Sequence, residues 1–495
     1  MRDLLLAIDA GTTSVRAVAF DREGRIRASA QHPLTTRHPQ PGWVEQDAAQ
    51  IRDLSLRAAG AVVAKVGAGR VEAIGITNQR ETAIAWDRET GEPLGPAIVW
   101  QDRRTADVCL ALAHDGYEES VRKRTGLRLD PYFSATKFGW LIRNLAPVAK
   151  AAEAGRLALG TVDSWLLFAL SDGQVHATDP TNASRTLLMD LACDAWDADL
   201  LGLFGVPQAA LPRILPSVGE VVRTRAFGPP IPVAAVAGDQ QAALAGQGCA
   251  APGEAKCTYG TGIFLLAHSG GSIPRSRHRL LSTRVAGDRQ WALEGSVFVG
   301  GDAVKWLRDR LGLIATAAET AALAASVESA GGVVVVPAFV GLGAPWWQPN
   351  ARGLVTGITP ATGRAELVRA TLEAMGNQTM DLIEAFRSDG VTPSALHVDG
   401  GMVANDWLCQ DLADATGLAI VRPAEVETTA LGAAMLAGVG VGWFAGIPEA
   451  AAAMTRVDRR FMPRTSETER QGRRAAWRKA IAQVLAGVTG EGPSH

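Results

Sequence analysis

The first chemically informative stretch is residues 4–20, LLLAIDAGTTSVRAVAF, where an apolar run is broken by one acid, Asp9. The acid is followed by a turn that carries Gly11, Thr12, Thr13 and Ser14, with Arg16 two residues beyond. Turn N–H groups and hydroxyls form an anion-binding concavity, and glycine lets a ligand approach the backbone. A lone carboxylate beside phosphates suits hydrated Mg²⁺. An ordinary tight turn is the structural alternative. The stretch is not a P-loop, because it has no Gly-Lys-Ser/Thr end and no following helix.

Two further glycine turns carry similar equipment. Residues 257–267, CTYGTGIFLLA, repeat the order of strand, Gly/Thr turn and strand. Residues 397–417 predict a strand, a close Gly-Gly turn and a helix that begins near Asn405. Each turn alone is typical of ordinary connections, whereas three in this order favour a nucleotide held between two domains.

Two polar clusters follow buried strands and could hold an acceptor molecule. Asp239, in GDQQ, is either the N-cap of a helix or a general base. Arg80 and Glu81, in NQRE, are either a surface ion pair or the donor and acceptor for a polyol. Trp100 and Tyr132 are either core residues or the apolar wall of such a site.

The elements that must position these residues alternate between strands and helices. A third strand is predicted at 25–34, a helix at 47–67 and a buried strand at 71–77. This alternation indicates an α/β fold with a largely parallel sheet. Because the second hairpin repeats the layout of the first, we expect two domains of related topology, 1–246 and 247–495.

Length and composition exclude several classes of protein. The chain has 495 residues, 47% of them apolar, and 49 Lys+Arg against 51 Asp+Glu. This balance does not predict nucleic-acid binding, and the basic segment 456–479 is interpreted as a solvated helix face. Five dispersed cysteines indicate buried thiols in a reducing cytoplasm. We expect neither a signal peptide nor a membrane span, and the eight histidines show no zinc-site spacing.

From residue 4 to about residue 480 the chain resembles the FGGY carbohydrate kinases. The resemblance rests on long motifs in family order: GITNQRETAIAWDRETGEPLGPAIVWQDRRT (75–105), YFSATKFGWLIRN (132–144), GTVDSWLL (160–167), TDPTNASRTLL (178–188), AGDQQAALAGQ (237–247), TYGTG (258–262), GLGAPWWQPNARGLVTGIT (341–359) and VDGGMVAND (398–406). Within the family, the NQRE, WQDRR and GDQQ segments favour glycerol over a sugar. The resemblance implies an α/β fold of two actin-like (RNase-H-like) domains with a nucleotide cleft between them.

The resemblance also implies roles for individual residues. For ATP it implies Thr12, Thr13, Ser14, Arg16, Thr261, Gly301, Lys305, Gly401 and Asn405. For glycerol it implies Arg80, Glu81, Tyr132, Asp239 and Gln240 as polar contacts, with Trp100 and Phe264 as apolar walls. For Mg²⁺ it implies Asp9 and Asp239, through water. A homo-oligomer, dimer or tetramer, is expected on resemblance alone.

The implied chemistry is in-line phosphoryl transfer, in which positioning and charge neutralisation dominate. Asp239 is expected to take the proton from a terminal hydroxyl of glycerol, giving sn-glycerol 3-phosphate. Two residues depart from the pattern of the members that act on glycerol. Ala10 stands where glutamine is usual, and Lys305 stands where glutamine is usual beside the nucleotide.

Three alternatives stand beside this hypothesis. The first is a kinase for another small polyol or triose, such as erythritol or dihydroxyacetone. The second is an actin-like ATP-binding protein that acts by conformational change, and the third is a catalytically silent regulator. Asp239 and the NQRE cluster favour the kinase, because the other two classes need no polyol pocket.

Overall fold

The computed structural model of the chain describes residues 2–425 and 427–489. Its first half contains fifteen strands and nine helices, apart from two short 3₁₀ turns. The strands are β1 (Leu4–Ala10), β2 (Ser14–Phe20), β3 (Ile26–Pro33), β4 (Thr36–Arg37), β5 (Glu45–Gln46), β6 (Val71–Asn78), β7 (Ile84–Asp87), β8 (Ala97–Ile98), β9 (Leu157–Gly160), β10 (Ala177–Thr178), β11 (Met189–Asp190), β12 (Ala195–Trp196), β13 (Arg213–Ile214), β14 (Val218–Thr224) and β15 (Ile231–Gly238). The helices are α1 (Ala48–Val66), α2 (Ala106–His114), α3 (Tyr117–Thr125), α4 (Ser134–Asn144), α5 (Ala146–Glu153), α6 (Val162–Leu170), α7 (Pro180–Ala183), α8 (Ala198–Phe204) and α9 (Asp239–Gly246).

The second half is built from nine strands and seven helices within the described ranges. The strands are β16 (Glu254–Tyr259), β17 (Ile263–Gly270), β18 (Leu281–Arg284), β19 (Trp291–Val297), β20 (Val334–Val336), β21 (Leu354–Thr356), β22 (Ala395–Asp399), β23 (Ala419–Pro423) and β24 (Val457–Phe461). The helices are α10 (Gly301–Asp309), α11 (Glu319–Ala325), α12 (Arg364–Ser388), α13 (Asp406–Thr416), α14 (Thr428–Gly440), α15 (Ile447–Met454) and α16 (Glu467–Thr489).

Each half has one large sheet, and the two sheets share a strand order. The first sheet runs β14-β15-β6-β1-β2-β3, and the second runs β18-β19-β17-β16-β22-β23-β24. In both, an antiparallel hairpin and a third antiparallel strand are joined to two parallel strands. The predicted pair of related domains is confirmed. The expectation of a largely parallel sheet is wrong, because each hairpin adds antiparallel pairs.

The local predictions are confirmed where periodicity and caps set them. The helix predicted at 47–67 is α1, whose first turn is capped by the Asp47 carboxylate accepting from the N–H of Ala49 at 2.9 Å. Every residue of β1 is buried, because α1 contacts the sheet on one face and α14 on the other. A strand covered on both faces reads as a continuous apolar run, as residues 4–8 do.

Helix α14 belongs to the second half in sequence but packs against β1, β6 and β15 of the first sheet. It crosses α9 so closely that a Cβ on Gly432 would lie 1.8 Å from the carbonyl oxygen of Ala242. A Cβ on Gly246 would lie 2.0 Å from the carbonyl oxygen of Thr428. The two halves are therefore joined by a tight crossing between α9 and α14.

The basic segment 456–479 lies mainly on α16 and is only partly a solvated face. Arg473 forms a two-pronged pair with Asp411, and Arg474 pairs with Asp381, all partly or fully buried. Four of the five cysteines are buried, and Cys193 is exposed. No helix within residues 2–425 and 427–489 is both long and apolar enough to cross a membrane.

Candidate active site between the two halves

The β1–β2 hairpin places Asp9 and Arg16 side by side. The two residues are directly paired across the hairpin, and the Arg16 Nε lies 3.0 Å from a carboxylate oxygen of Asp9. Arg16 also pairs with Glu427 of the second half. Asp9 is only 3% exposed, so burial raises its pKa to about 6, with Asp239 adding to the rise and Arg16 opposing it.

The turn between these strands accepts hydrogen bonds from side chains outside the hairpin. The hydroxyl of Thr12 accepts from the indole N–H of Trp100 at 2.9 Å, and the hydroxyl of Ser14 accepts from the Gln31 amide at 2.8 Å. Thr13 is exposed. The turn thus presents hydroxyls and backbone at an accessible surface beside a buried carboxylate.

Asp239 is the first residue of α9, and its side chain is 28% exposed. One carboxylate oxygen lies 3.1 Å from Nε of Arg80. Withdrawal from water raises the pKa of Asp239, while Arg80 and Lys256 oppose the rise. The N-cap interpretation is wrong, because Gly238 occupies that position and no side chain caps the helix.

Arg80 and Glu81 are not a surface ion pair. Both are buried, at 3% and 1% exposure, and each pairs with a different partner. Arg80 donates to both carboxylate oxygens of Glu294, at 2.5 and 3.1 Å. Glu81, which has a positive φ of 61°, accepts from Nε of Arg185 at 2.6 Å. The sequence interpretation missed Glu294 and Arg185, although a lone acid in the apolar strand WALEGSV and an arginine inside TNASRTLL were available signals.

Three of the predicted aromatic residues form one wall. Trp100 makes edge contacts with Tyr132 and with Phe264, at ring-centroid distances of 5.6 and 6.1 Å. Phe264 comes from β17 of the second half, so both halves contribute to the wall. The amphipathic Trp100 joins this wall to the Thr12 hydroxyl.

Gln240 contacts a residue that the sequence interpretation missed. Its amide oxygen accepts from Nζ of Lys256, which is fully buried on β16 and also donates to the Thr258 hydroxyl at 2.8 Å. Burial lowers the pKa of Lys256, and the charges of Asp399 and Asp239 oppose this. Lys256 therefore brings a buried cation from the second half to the junction with α9.

The glycine turns of the second half meet one another. The N–H of Gly301 donates to the carbonyl of Gly260 at 2.7 Å, beside the exposed Thr261. A Cβ on Gly400, whose φ is 92°, would lie 2.5 Å from the Tyr259 carbonyl oxygen. A Cβ on the neighbouring Gly401 would meet nothing within 4 Å, so that backbone faces open space.

The two remaining nucleotide candidates differ in placement. Asn405 caps α13 by accepting from the N–H of Leu408 at 3.1 Å, as the sequence predicts. Lys305 is 56% exposed and pairs with Asp302 at 2.8 Å, on the first turns of α10. Lys305 lies on the helix that begins at Gly301, but its ammonium group forms an ion pair with Asp302 of the same helix.

The site contains two acidic side chains, Asp9 and Asp239, of the kind that can contact Mg²⁺ through water. Asp9 and Asp239 are close enough for the charge of one to raise the pKa of the other. Among the described residues, no group of three or more His, Cys, Asp or Glu side chains could hold a metal ion. Mg²⁺ needs only one or two carboxylates when phosphates and waters supply its other ligands.

The two related domains, the hydroxyl-bearing turn between β1 and β2, and the charged and aromatic side chains beside it fit a two-domain phosphotransferase. The family model of the N-terminal domain of the FGGY family of carbohydrate kinases matches residues 4–246, and that of its C-terminal domain matches residues 255–441. The chain belongs to the FGGY family of carbohydrate kinases. Membership in a kinase family implies ATP as the phosphoryl donor.

Individual relatives are similar over nearly the whole chain. A glycerol kinase of Alcanivorax borkumensis is 52% identical over 97% of this chain and 98% of the relative. A glycerol kinase of Rhodospirillum rubrum is also 52% identical, with the same coverage. The crystal structure of Plasmodium falciparum glycerol kinase with ADP superposes with a TM-score of 0.91 at 34% identity, covering 98% of both chains.

Proposed function

We propose that this protein transfers the γ-phosphoryl group of ATP to a terminal hydroxyl of glycerol, giving sn-glycerol 3-phosphate and ADP. The observation that carries the proposal is the Asp239 carboxylate, which lies 3.1 Å from Nε of Arg80 and directly follows β15, two strands away in the same sheet from β1, which carries Asp9. Relatives about half identical over nearly their full length and named glycerol kinase support glycerol as the acceptor.

The reaction asks for one proton transfer and one phosphoryl transfer. Asp239 takes the proton of the attacking hydroxyl as the new oxygen–phosphorus bond forms, and the bond from the γ-phosphorus to the ADP oxygen breaks on the opposite side. A raised pKa makes the carboxylate a better base than an exposed aspartate, and Arg80 keeps it ionised. Positioned base catalysis of this kind typically contributes about 10²–10⁴-fold.

Glycerol is proposed to lie between charged and apolar walls. Arg80 donates hydrogen bonds to the hydroxyl oxygens of glycerol, and Glu81 accepts hydrogen bonds from its hydroxyl groups. Asp239 and Gln240 contact the end of glycerol that reacts. Trp100, Tyr132 and Phe264 cover the carbon chain; the last two flank Trp100.

ATP is proposed to contact both halves. The proposed contacts are Thr12, Thr13, Ser14 and Arg16 on the hairpin, and Thr261, Gly301, Lys305, Gly401 and Asn405 in the second half. Mg²⁺, which neutralises phosphate charge during transfer, would be held by Asp9 and Asp239 through water. We also propose a division between the domains at residue 246 and a cytoplasmic location. The protein is further proposed to form a homo-oligomer, which sedimentation measures.

The test is ADP release from MgATP with glycerol, dihydroxyacetone, erythritol, xylitol or no acceptor, for the wild-type protein and Asp239→Asn. We expect strong glycerol-dependent turnover that falls at least about 10²-fold in the variant. Asp309→Asn is the matched control, because it makes the same substitution at an exposed aspartate that pairs with Arg308. Preference for a longer polyol would reassign the acceptor, and acceptor-independent hydrolysis insensitive to Asp239 would refute the kinase.

A further inference from the structure

A row of five charged side chains with alternating sign runs through the polyol pocket and across the two halves. In order they are Glu81, Arg185, Glu294, Arg80 and Asp239, with successive closest contacts of 2.6, 3.1, 2.5 and 3.1 Å. The first four side chains are at most 2% exposed. Only Glu294, the middle member, comes from the second half.

Among the residues that the structure describes, Glu294 is the one acid that forms ion pairs with both buried arginines, Arg80 and Arg185. One of its oxygens accepts from Arg185 and Arg80, each at 3.1 Å, and the other accepts from Arg80 at 2.5 Å. The Ser296 hydroxyl donates to it at 3.1 Å. Burial alone would raise the pKa of Glu294, but Arg185 and Arg80 outweigh burial and hold it at about 2. The two guanidinium groups therefore favour the ionised form of Glu294.

Through these bonds Glu294 fixes the groups that face the polyol. It holds one edge of the Arg80 guanidinium, which leaves Nε toward Asp239. It also holds Arg185, whose guanidinium carbon lies 5.3 Å from the centre of the Tyr132 ring and whose Nε orients Glu81. Nη1 of Arg185 is buried without an acceptor in the described part of the chain. The positive charge of Arg185 is therefore balanced by its ion pairs with Glu294 and Glu81.

We propose that Glu294 is a positioning residue for polyol recognition, which the second half inserts between Arg80 and Arg185 so that the pocket is complete only when the two halves are in contact. The inference rests on the proposed function, because it assigns a role in binding the same acceptor. It predicts that polyol affinity depends on a residue that need not touch the polyol, while nucleotide affinity does not.

The first test compares Glu294→Gln with the wild-type protein. A neutral amide can keep the oxygen that both guanidinium groups share, but its NH₂ group would then face Nη1 of Arg80, and the negative charge that balances the two arginines is lost. We expect the KM for glycerol to rise at least about tenfold, kcat to fall by less than KM rises, and the KM for ATP to stay within about twofold. Calorimetry in the absence of nucleotide should show the same loss of affinity for glycerol. Glu294→Asp keeps the charge and should recover part of the affinity.

The control is Asp411→Asn, which breaks the buried pair of Asp411 with Arg473 in the same half, at 2.6 and 3.0 Å. It should lower the melting temperature and leave the KM for glycerol unchanged. Wild-type glycerol affinity in Glu294→Gln, with only a similar loss of melting temperature, would make Glu294 a structural brace and overturn the inference.

Two further outcomes separate this inference from the proposed function. If Glu294→Gln does not fold, Glu294→Asp decides, since wild-type KM values for both substrates in that variant would also overturn the inference. If the wild-type protein prefers another polyol, the proposed acceptor fails, and the same comparison with that polyol still tests Glu294. A wild-type protein that turns over no polyol overturns both proposals.

Discussion

Asp239 and Glu294 bind the same guanidinium group from two sides, with Nε of Arg80 3.1 Å from Asp239 and its Nη1 2.5 Å from Glu294. Asp239 therefore has an arginine beside it that is already neutralised by a stronger pair. A base that shared its arginine with no other acid would be held ionised but would be reluctant to accept a proton. The arrangement keeps Asp239 oriented while burial raises its pKa.

Arg80→Lys should therefore cost far more than a conservative charge replacement normally does. An ammonium group cannot bind the two oxygens of Glu294 and reach Asp239 together, because it lacks the planar fork of arginine. We expect kcat/KM for glycerol to fall at least about 10²-fold, as displaced reacting groups typically do. The measurement is steady-state kinetics with varied glycerol. Arg308→Lys changes an exposed arginine that pairs with the exposed Asp309, and it should leave kcat/KM for glycerol unchanged. A loss below tenfold in Arg80→Lys would contradict the shared-arginine arrangement.

Trp100 is expected to contribute in two separable ways. Trp100→Phe keeps a ring in the wall but loses the 2.9 Å bond to the Thr12 hydroxyl. A net hydrogen bond is worth about 0.5–1.5 kcal/mol, so kcat/KM should fall about two- to thirteenfold. Trp100→Ala also removes the ring between Tyr132 and Phe264 and should cost at least another tenfold. Equal kinetics in the two variants would show that the wall plays no part in binding.

The sequence predicts the elements that depend on local patterns. The two hairpins, α1 and the strand–helix step from β15 to α9 follow from apolar runs, glycine turns and helical spacing. It also places Asp9 and Asp239 at strand ends. In the structure, the charge of Asp239 adds to the rise of the pKa of Asp9 that burial causes. These features need only a window of ten to twenty residues, which is the range over which periodicity carries information.

The parts that escaped prediction depend on contacts between distant residues. Glu294 pairs with Arg80 across 214 positions of the chain, and Arg185 pairs with Glu81 across 104. Lys256 resembles an ordinary strand residue until the fold brings it to Gln240. No local pattern specifies that α14 leaves its own half to cover the first sheet, since its apolar and small residues suit any buried helix.

Asp163 should make the stability of the protein fall as pH rises. It is fully buried and accepts from the Thr161 and Thr178 hydroxyls, but has no cation as a partner among these bonds. Burial, with help from the charge of Asp179, raises its pKa from 3.8 to about 7. The folded state therefore favours the protonated acid. Its contribution is complete below about pH 4 and is lost as pH rises to about 7.

The measurement is the free energy of unfolding of the wild-type protein and of Asp163→Asn in urea, between pH 4 and pH 8. Asparagine mimics the neutral acid and does not titrate. The wild-type value, taken relative to the variant, should decrease by about 1 kcal/mol or more across this window. Parallel curves for the two proteins would show that Asp163 is not protonated in the folded state.

Gly432→Ala should be among the most destabilising single-methyl additions in the chain. Gly432 lies where α14 crosses α9, and the added Cβ would lie 1.8 Å from the carbonyl oxygen of Ala242 and 2.9 Å from the backbone nitrogen of Gly246. Backbone atoms cannot rotate away, so α14 must shift relative to β1 and β6. Overpacking typically costs about 1–3 kcal/mol, and the backbone clash places this variant at the upper end.

Gly472→Ala is the matched control, because Gly472 is also inside a helix, α16, and its Cβ would meet nothing within 4 Å. There the same change should stabilise the protein by up to about 1 kcal/mol, since alanine is the better helix former. Opposite shifts of melting temperature in the two variants are expected. A neutral Gly432→Ala would mean that α9 and α14 are farther apart in solution. The site would then lose the crossing that joins Asp239, at the start of α9, to Glu427, at the start of α14.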